Sequence, residues 1–188
     1  MRTTRFSKPA GFVLAGYLVL LASIALLVWR VLDLRHELQS RAPGVSYQAI
    51  ENLLHSRIED SDGEVRRLAE EPKEYLLFFL LSPYDCPICQ DELIDLQALH
   101  EEIPNLAILA ILGHSDPNEA RQTRQNYGLL FPVIPDPSGA IIEALAPPET
   151  PWKVLVSRRA ERILFEDYQS STPAERKAFA HRVHIFVH

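Results

Sequence analysis

Only two cysteines occur in these 188 residues, Cys86 and Cys89. A structural zinc site built on thiolates needs two further ligands at short spacing, and no second cysteine pair exists to supply them. A permanent disulfide closing so short a loop gains little in the chain-entropy account. Acids are missing from the first thirty residues, which carry Arg2, Arg5, Lys8 and Arg30 alone. The rest reverses the balance, with 15 bases against 25 acids and a net charge near −10. No run of bases interleaved with aromatics appears, so nothing is present to neutralise a phosphate backbone, and nucleic acid is excluded as a partner. Internal repeats and low-complexity segments are absent too.

What the N-terminus does contain is an unbroken apolar run. Residues 10–29 (AGFVLAGYLVLLASIALLVW) hold no charge, and at ~1.5 Å of rise per residue twenty residues cross a hydrocarbon core of about 30 Å. A cleaved signal peptide has a shorter apolar region and a small-residue cleavage site, whereas this run leads into WRVLDLRHEL. The expected organisation is a cytoplasmic N-terminus over 1–9, a transmembrane helix over 10–29, a stalk and linker over 30–45, and one globular domain over 46–188. Bases before the helix, unaccompanied by acids, favour a cytoplasmic N-terminus. A single-pass protein of the inner membrane is thus expected, with its C-terminal domain in the periplasm, where disulfides persist.

Within the domain, the stretch LLHSRIEDSDGEVRRL reads as two short strands around the turn signal Asp62-Gly63. Tyr75–Leu81 (YLLFFLL) and Leu106–Leu112 (LAILAIL) are apolar runs of strand length, suited to burial on both faces. Between them, Cys86 to about Glu101 places Ile88, Leu93, Leu96, Ala98 and Leu99 mainly along one helical stripe, with Pro87 in the first turn. A polar helix opens at Asp116-Pro117, a short strand follows at Phe131–Ile134, and a short helix at Ser138–Ala146. Lys153–Ser157 and Arg162–Glu166 form a second hairpin, with Arg158, Arg159 and Arg162 at a solvated tip. Thr172, Pro173 and Glu175 carry a capping-box pattern for a closing helix to Val187. The fold class is α/β: a mixed central sheet flanked by helices.

The two cysteines stand three apart where a buried strand meets a helix. Unpaired N–H groups and the macrodipole at a helix N-terminus favour an anion, so a thiolate at Cys86 is stabilised there. One turn further in, Cys89 is placed to attack a mixed disulfide and release the substrate. Cys86 is the expected nucleophile and Cys89 the resolving thiol, with Asp85, Pro87 and Ile88 setting the thiolate balance between them.

These motifs resemble the thioredoxin-like superfamily, and most closely its membrane-anchored TlpA-type (redoxin) branch. The resemblance covers roughly 46–168: the hairpin SRIEDSDGEVRRL, the segment FFLLSPYDCPICQDEL, the strand LAILAIL, the stretch FPVIPDPSGAIIEALA and the segment PPETPWKVLVSRRAERILFED. It implies a thioredoxin-like fold, thiol-disulfide exchange without a bound cofactor, and Thr150-Pro151 as a cis-proline element whose exposed backbone pairs with a substrate. It also implies protein dithiol and disulfide clients and a membrane-bound redox donor or acceptor. The chain departs from the family at two positions. Asp85 stands where an aromatic usually precedes the first cysteine, and its carboxylate opposes the thiolate; Leu80 stands where many thioredoxins bury an acid, so proton transfer to Cys89 needs water or another group. The anchor, stalk and FFLLSPYDCPIC also resemble the accessory thioredoxin-like proteins that help mature methylamine dehydrogenase, a periplasmic enzyme rich in disulfides. Related anchored proteins serve cytochrome c maturation, and the local motif does not separate the two.

Two other readings stay open on the sequence. A peroxiredoxin-like peroxidase with Cys86 as peroxidatic thiol is one, although Pro83 occupies the place of the family's Thr or Ser. A non-catalytic assembly module holding Cu(I) between the thiols is the other. His181, His184 and His188 share a helical face at spacings of three and four, which suits metal ligands as well as it suits a solvated terminal helix; no metal is expected.

Overall fold

The computed structural model describes residues 45–82 and 88–187, together with the helical positions 23, 24, 26–28 and 30. The expected membrane helix over 10–29, its stalk and its cytoplasmic N-terminus therefore lie largely outside the described residues, as do Asp85, Cys86, Pro87 and His188. Among the described residues no helix is long and apolar enough to cross a membrane. Residues 44–188 form a compact unit of their own.

That unit opens with α1 (Tyr47–His55). Ser46 caps it, its Oγ accepting from the Ala49 amide at 3.2 Å, and Ile50, Leu53 and Leu54 are its buried stripe. The expectation of a strand from Leu53 is corrected here. Spacings of three and four with an N-cap serine are helical period, and the helix claims Leu53, Leu54 and His55. The hairpin is confined to β1 (Arg57–Glu59) and β2 (Val65–Arg67). Its turn is organised by buried Asp60, whose carboxylate accepts from the amides of Asp62 and Glu64 and from Arg66 Nε at 2.6 Å. Gly63 takes the left-handed conformation at the tip, φ +81°.

The main sheet holds β3 (Tyr75–Leu81), β4 (Leu106–Gly113), β5 (Val133–Asp136), β6 (Trp152–Ser157) and β7 (Arg162–Asp167) in the order β5-β4-β3-β6-β7. The first three are parallel and the last two are antiparallel additions, so the sheet is mixed as expected. Alternation divides its side chains between two cores. Leu77, Phe79 and Leu81 pack with Ile108, Ala110 and Leu112 under α2 (Ile88–Glu102), α3 (Pro117–Asn126) and α5 (Pro173–Val187). Leu76, Phe78 and Leu80 pack with Leu109, Ile111 and Trp152 against α1 and α4 (Ala140–Leu145). Burial on both faces is why YLLFFLL and LAILAIL show no alternation of their own.

The predicted cap forms at Thr172 and Glu175, which reciprocate at 3.2 and 2.8 Å. Asp116, where a polar helix is expected to open, makes a second: its carboxylate accepts from the amides of Asn118 and Glu119, and its own N–H donates to the Glu119 carboxylate. A second correction concerns Arg158. Rather than forming a solvated tip, its guanidinium donates to the carbonyls of Ala69 and Lys73, stapling the β6–β7 turn to the segment before β3.

Candidate active site

Parallel β3 delivers the chain to the carboxyl end of the sheet, and beyond Ser82 the described backbone resumes at Ile88, the first residue of α2. Cys89 sits in that first turn and is buried, 4% exposed. The helix turns Cys89, Leu93, Leu96, Leu99 and Ile103 toward the sheet. Of Ile88 only the backbone is described.

The register of β6 brings the second half of the site to the same place. Trp152 pairs with Leu80 in antiparallel β6, so Thr150 and Pro151 come in opposite Leu81 and Ser82, at the end of β3 from which the cysteine segment departs. The Thr150–Pro151 peptide is cis. Residues some seventy apart in sequence are thus neighbours across one strand pair.

Beneath this junction lies a charge pair that the sequence reading missed. Glu92 is one helical turn beyond Cys89 and 3% exposed, and Lys153 projects from β6 beneath α2, 2% exposed. Lys153 Nζ donates to Glu92 Oε1 at 2.6 Å and to Ser170 Oγ at 3.0 Å, and Ser170 N donates to the same Glu92 oxygen at 2.6 Å. The ammonium also sits 4.8 Å from the Phe179 ring centroid. Glu92 Oε2 is buried with no hydrogen-bond partner among the described residues. Two signals could have found the pair: a lysine inside the otherwise apolar run WKVLV, and an acid on the apolar stripe of α2 at i+3 from Cys89. Charged side chains are almost never fully buried unless paired.

On its other side Cys89 lines a solvent-open cleft of about 230 Å³ between α2 and α3, with Leu81, Leu93 and Leu112 also in its lining. Burial raises the Glu166 carboxyl above its ordinary range, and burial, then Glu166, Glu149 and Asp167, raise the Tyr168 phenol. His184 stands away from this chemistry, its Nε2 lying 3.4 Å from Glu102 Oε2. Among the described residues no group of three or more His, Cys, Asp or Glu is arranged to hold a metal ion.

The arrangement can be set beside known proteins. No curated protein sequence matches the chain. Among solved structures, a secreted Mycobacterium tuberculosis disulfide oxidoreductase homologous to E. coli DsbE superposes with a TM-score of 0.61 at 18% identity, over 72% of this chain and 98% of that one. A putative protein disulfide isomerase from Bacteroides thetaiotaomicron gives 0.59 at 16% identity, over 70% and 85%. A cysteine-to-serine mutant of Xylella fastidiosa PrxQ gives 0.62 at 14% identity, over 73% and 92%. At these identities the likeness establishes the thioredoxin-like fold. The sequence matches the AhpC/TSA family over residues 41–179, from before α1 into α5. By that match, with the fold to support it, the chain belongs to the AhpC/TSA family of redoxins.

Proposed function

We propose that this protein is a membrane-anchored thiol-disulfide oxidoreductase of the TlpA type that works outside the cytoplasm, exchanging electrons with protein dithiols and disulfides through Cys86 and Cys89. The observation that carries the reading is that β3 leads toward the helix whose first turn holds buried Cys89, and that the cis Thr150–Pro151 peptide comes in beside the same end of β3. In the reducing direction the Cys86 thiolate attacks a client disulfide, one client sulfur leaves as thiolate and takes a proton, and a mixed disulfide remains. Cys89 loses its proton and attacks the Cys86 sulfur, releasing the second client thiolate. The client gains two electrons, and a dithiol donor resets the pair. Glu92 supplies a buried carboxyl on the helix that carries Cys89, offsetting the missing acid at Leu80, and Lys153 holds it in place. The chain's apolar residues 10–29 are the anchor, and the clients are periplasmic enzymes under maturation, of the methylamine dehydrogenase or cytochrome c kind.

Single-cysteine variants test the reaction. Cys86→Ser abolishes turnover, whereas Cys89→Ser accumulates a mixed disulfide through Cys86 that a reductant releases; equal activity in the two variants rejects the mechanism. The potential of the couple against glutathione gives the direction of flow: about −270 mV marks a reductase and about −120 mV an oxidant. Carbonate extraction of membranes, with protease added to one face, tests the anchor and its orientation.

The AhpC/TSA family and the likeness to PrxQ favour a second reading, a thiol peroxidase with Cys86 as peroxidatic residue. Failure to consume hydrogen peroxide with a dithiol donor removes it.

A further inference from the structure

Helix α3 packs on the core through Ala120, with Tyr127 beside it. Its neighbouring face carries exposed Glu119, Gln122 and Asn126 with half-buried Thr123, and this face lines a cleft whose far wall is the first turn of α2, including Cys89 and Gln90. Gln90, Gln122 and Asn126 make no side-chain hydrogen bond to any described residue, unlike Gln97, which is committed to Glu101 and to the Leu130 amide. Three side-chain amides, each able to donate and accept, are thus aimed from two helices into a space next to a redox cysteine. Among the described residues no basic side chain lines the cleft, and Glu119 adds an acid at its rim.

We infer that this cleft holds the client: an extended, neutral or basic polypeptide segment flanking the reactive disulfide, its peptide groups hydrogen-bonded by Gln90, Gln122 and Asn126. The inference rests on the oxidoreductase reading and adds a second wall to the site, opposite the Thr150–Pro151 side. Peptide bonds match amide side chains in donor and acceptor number, and the cleft, about 230 Å³, is open to solvent, as a segment of a larger client requires. An acidic segment finds only Glu119 there.

The test uses the full chain in detergent and two disulfides, a neutral cyclic peptide disulfide of about ten residues and bis(2-hydroxyethyl) disulfide. In the Gln122→Ala/Asn126→Ala variant, the preference for the peptide in kcat/KM falls about tenfold relative to wild type, the loss residing in KM, as expected for two hydrogen bonds of roughly 0.5–1.5 kcal/mol each. Gln48→Ala, on the exposed face of α1, serves as the control for an unrelated surface amide. A preference within twofold of wild type overturns the inference, as does an equal fall for both disulfides, which marks α3 as a support for the cysteines. Wild-type protein that turns over neither disulfide instead rejects the oxidoreductase reading and the inference with it. A Gln122→Asn/Asn126→Gln variant, which keeps the amide chemistry, recovers at least half of the lost preference; no recovery counts against peptide hydrogen bonding.

Discussion

Lys153 and Glu92 are the residues whose removal the structure penalises most. Each is almost wholly buried and each satisfies the other, so deleting one charge strands its partner. Lys153→Met is expected to lower stability by about 3–5 kcal/mol, whereas Lys153→Met combined with Glu92→Leu restores much of it, because a buried ion pair often trades evenly for apolar packing. Urea unfolding of the two variants checks this. His100 offers a pH signature. Burial first, and the Lys73 charge second, hold its imidazole below the ordinary value of 6.5. The unfolded chain therefore binds the proton more readily, and stability is expected to fall as pH drops from about 7 through 6.5 toward the lowered folded value. Unfolding midpoints at pH 7.5 and 5.5, compared between wild type and His100→Gln, test the sign; a steeper loss in the variant would contradict it. At this scale the sequence offers Cys86 and Cys89 by their spacing; the structure describes Cys89 in the first turn of α2, and Cys86 lies outside the described residues. The charge pair is silent because its members are 61 residues apart and only the register of β6 unites them.

Elements are legible wherever local chemistry decides them. The box at Asp116 and Glu119 and the one at Thr172 and Glu175 are written within four residues, and β3 and β4 are unbroken apolar runs between charged or turn residues. Helix α1 escapes the sequence reading because its stripe of Ile50, Leu53 and Leu54 merges with the hairpin that follows, and a short apolar pair fits either period. Capping gives this scale its prediction. Asp116→Ala leaves two α3 amides without their acceptor and is expected to cost about 1 kcal/mol. If α3 is the client wall, the same change raises KM for peptide disulfides, while Thr172→Ala on α5 carries a similar stability cost without that rise. Thermal melts and the peptide assay, run on both variants, separate the two effects.

For the molecule as a whole, the mixed sheet and its layering follow from alternating strands and helices, whereas the strand order depends on pairings between distant segments. Residues 44–188 hold both cores and the seven strands of the two sheets. A fragment of those residues is expected to unfold in one cooperative step, seen together by far-UV circular dichroism and by fluorescence. Trp152 is its only tryptophan and is fully buried, so its emission shifts to the red in that step. Separate transitions by the two probes would show that the cores fold independently.

The bond between Lys153 and Glu92 also works as a strut. It ties the helix bearing Cys89 to the strand that starts directly after Pro151. A client cannot wedge these two walls apart without breaking an ion pair sealed from water. If the proposed exchange is the reaction, bending falls to the substrate, and disulfides already held in loose or unfinished chains are expected to react fastest.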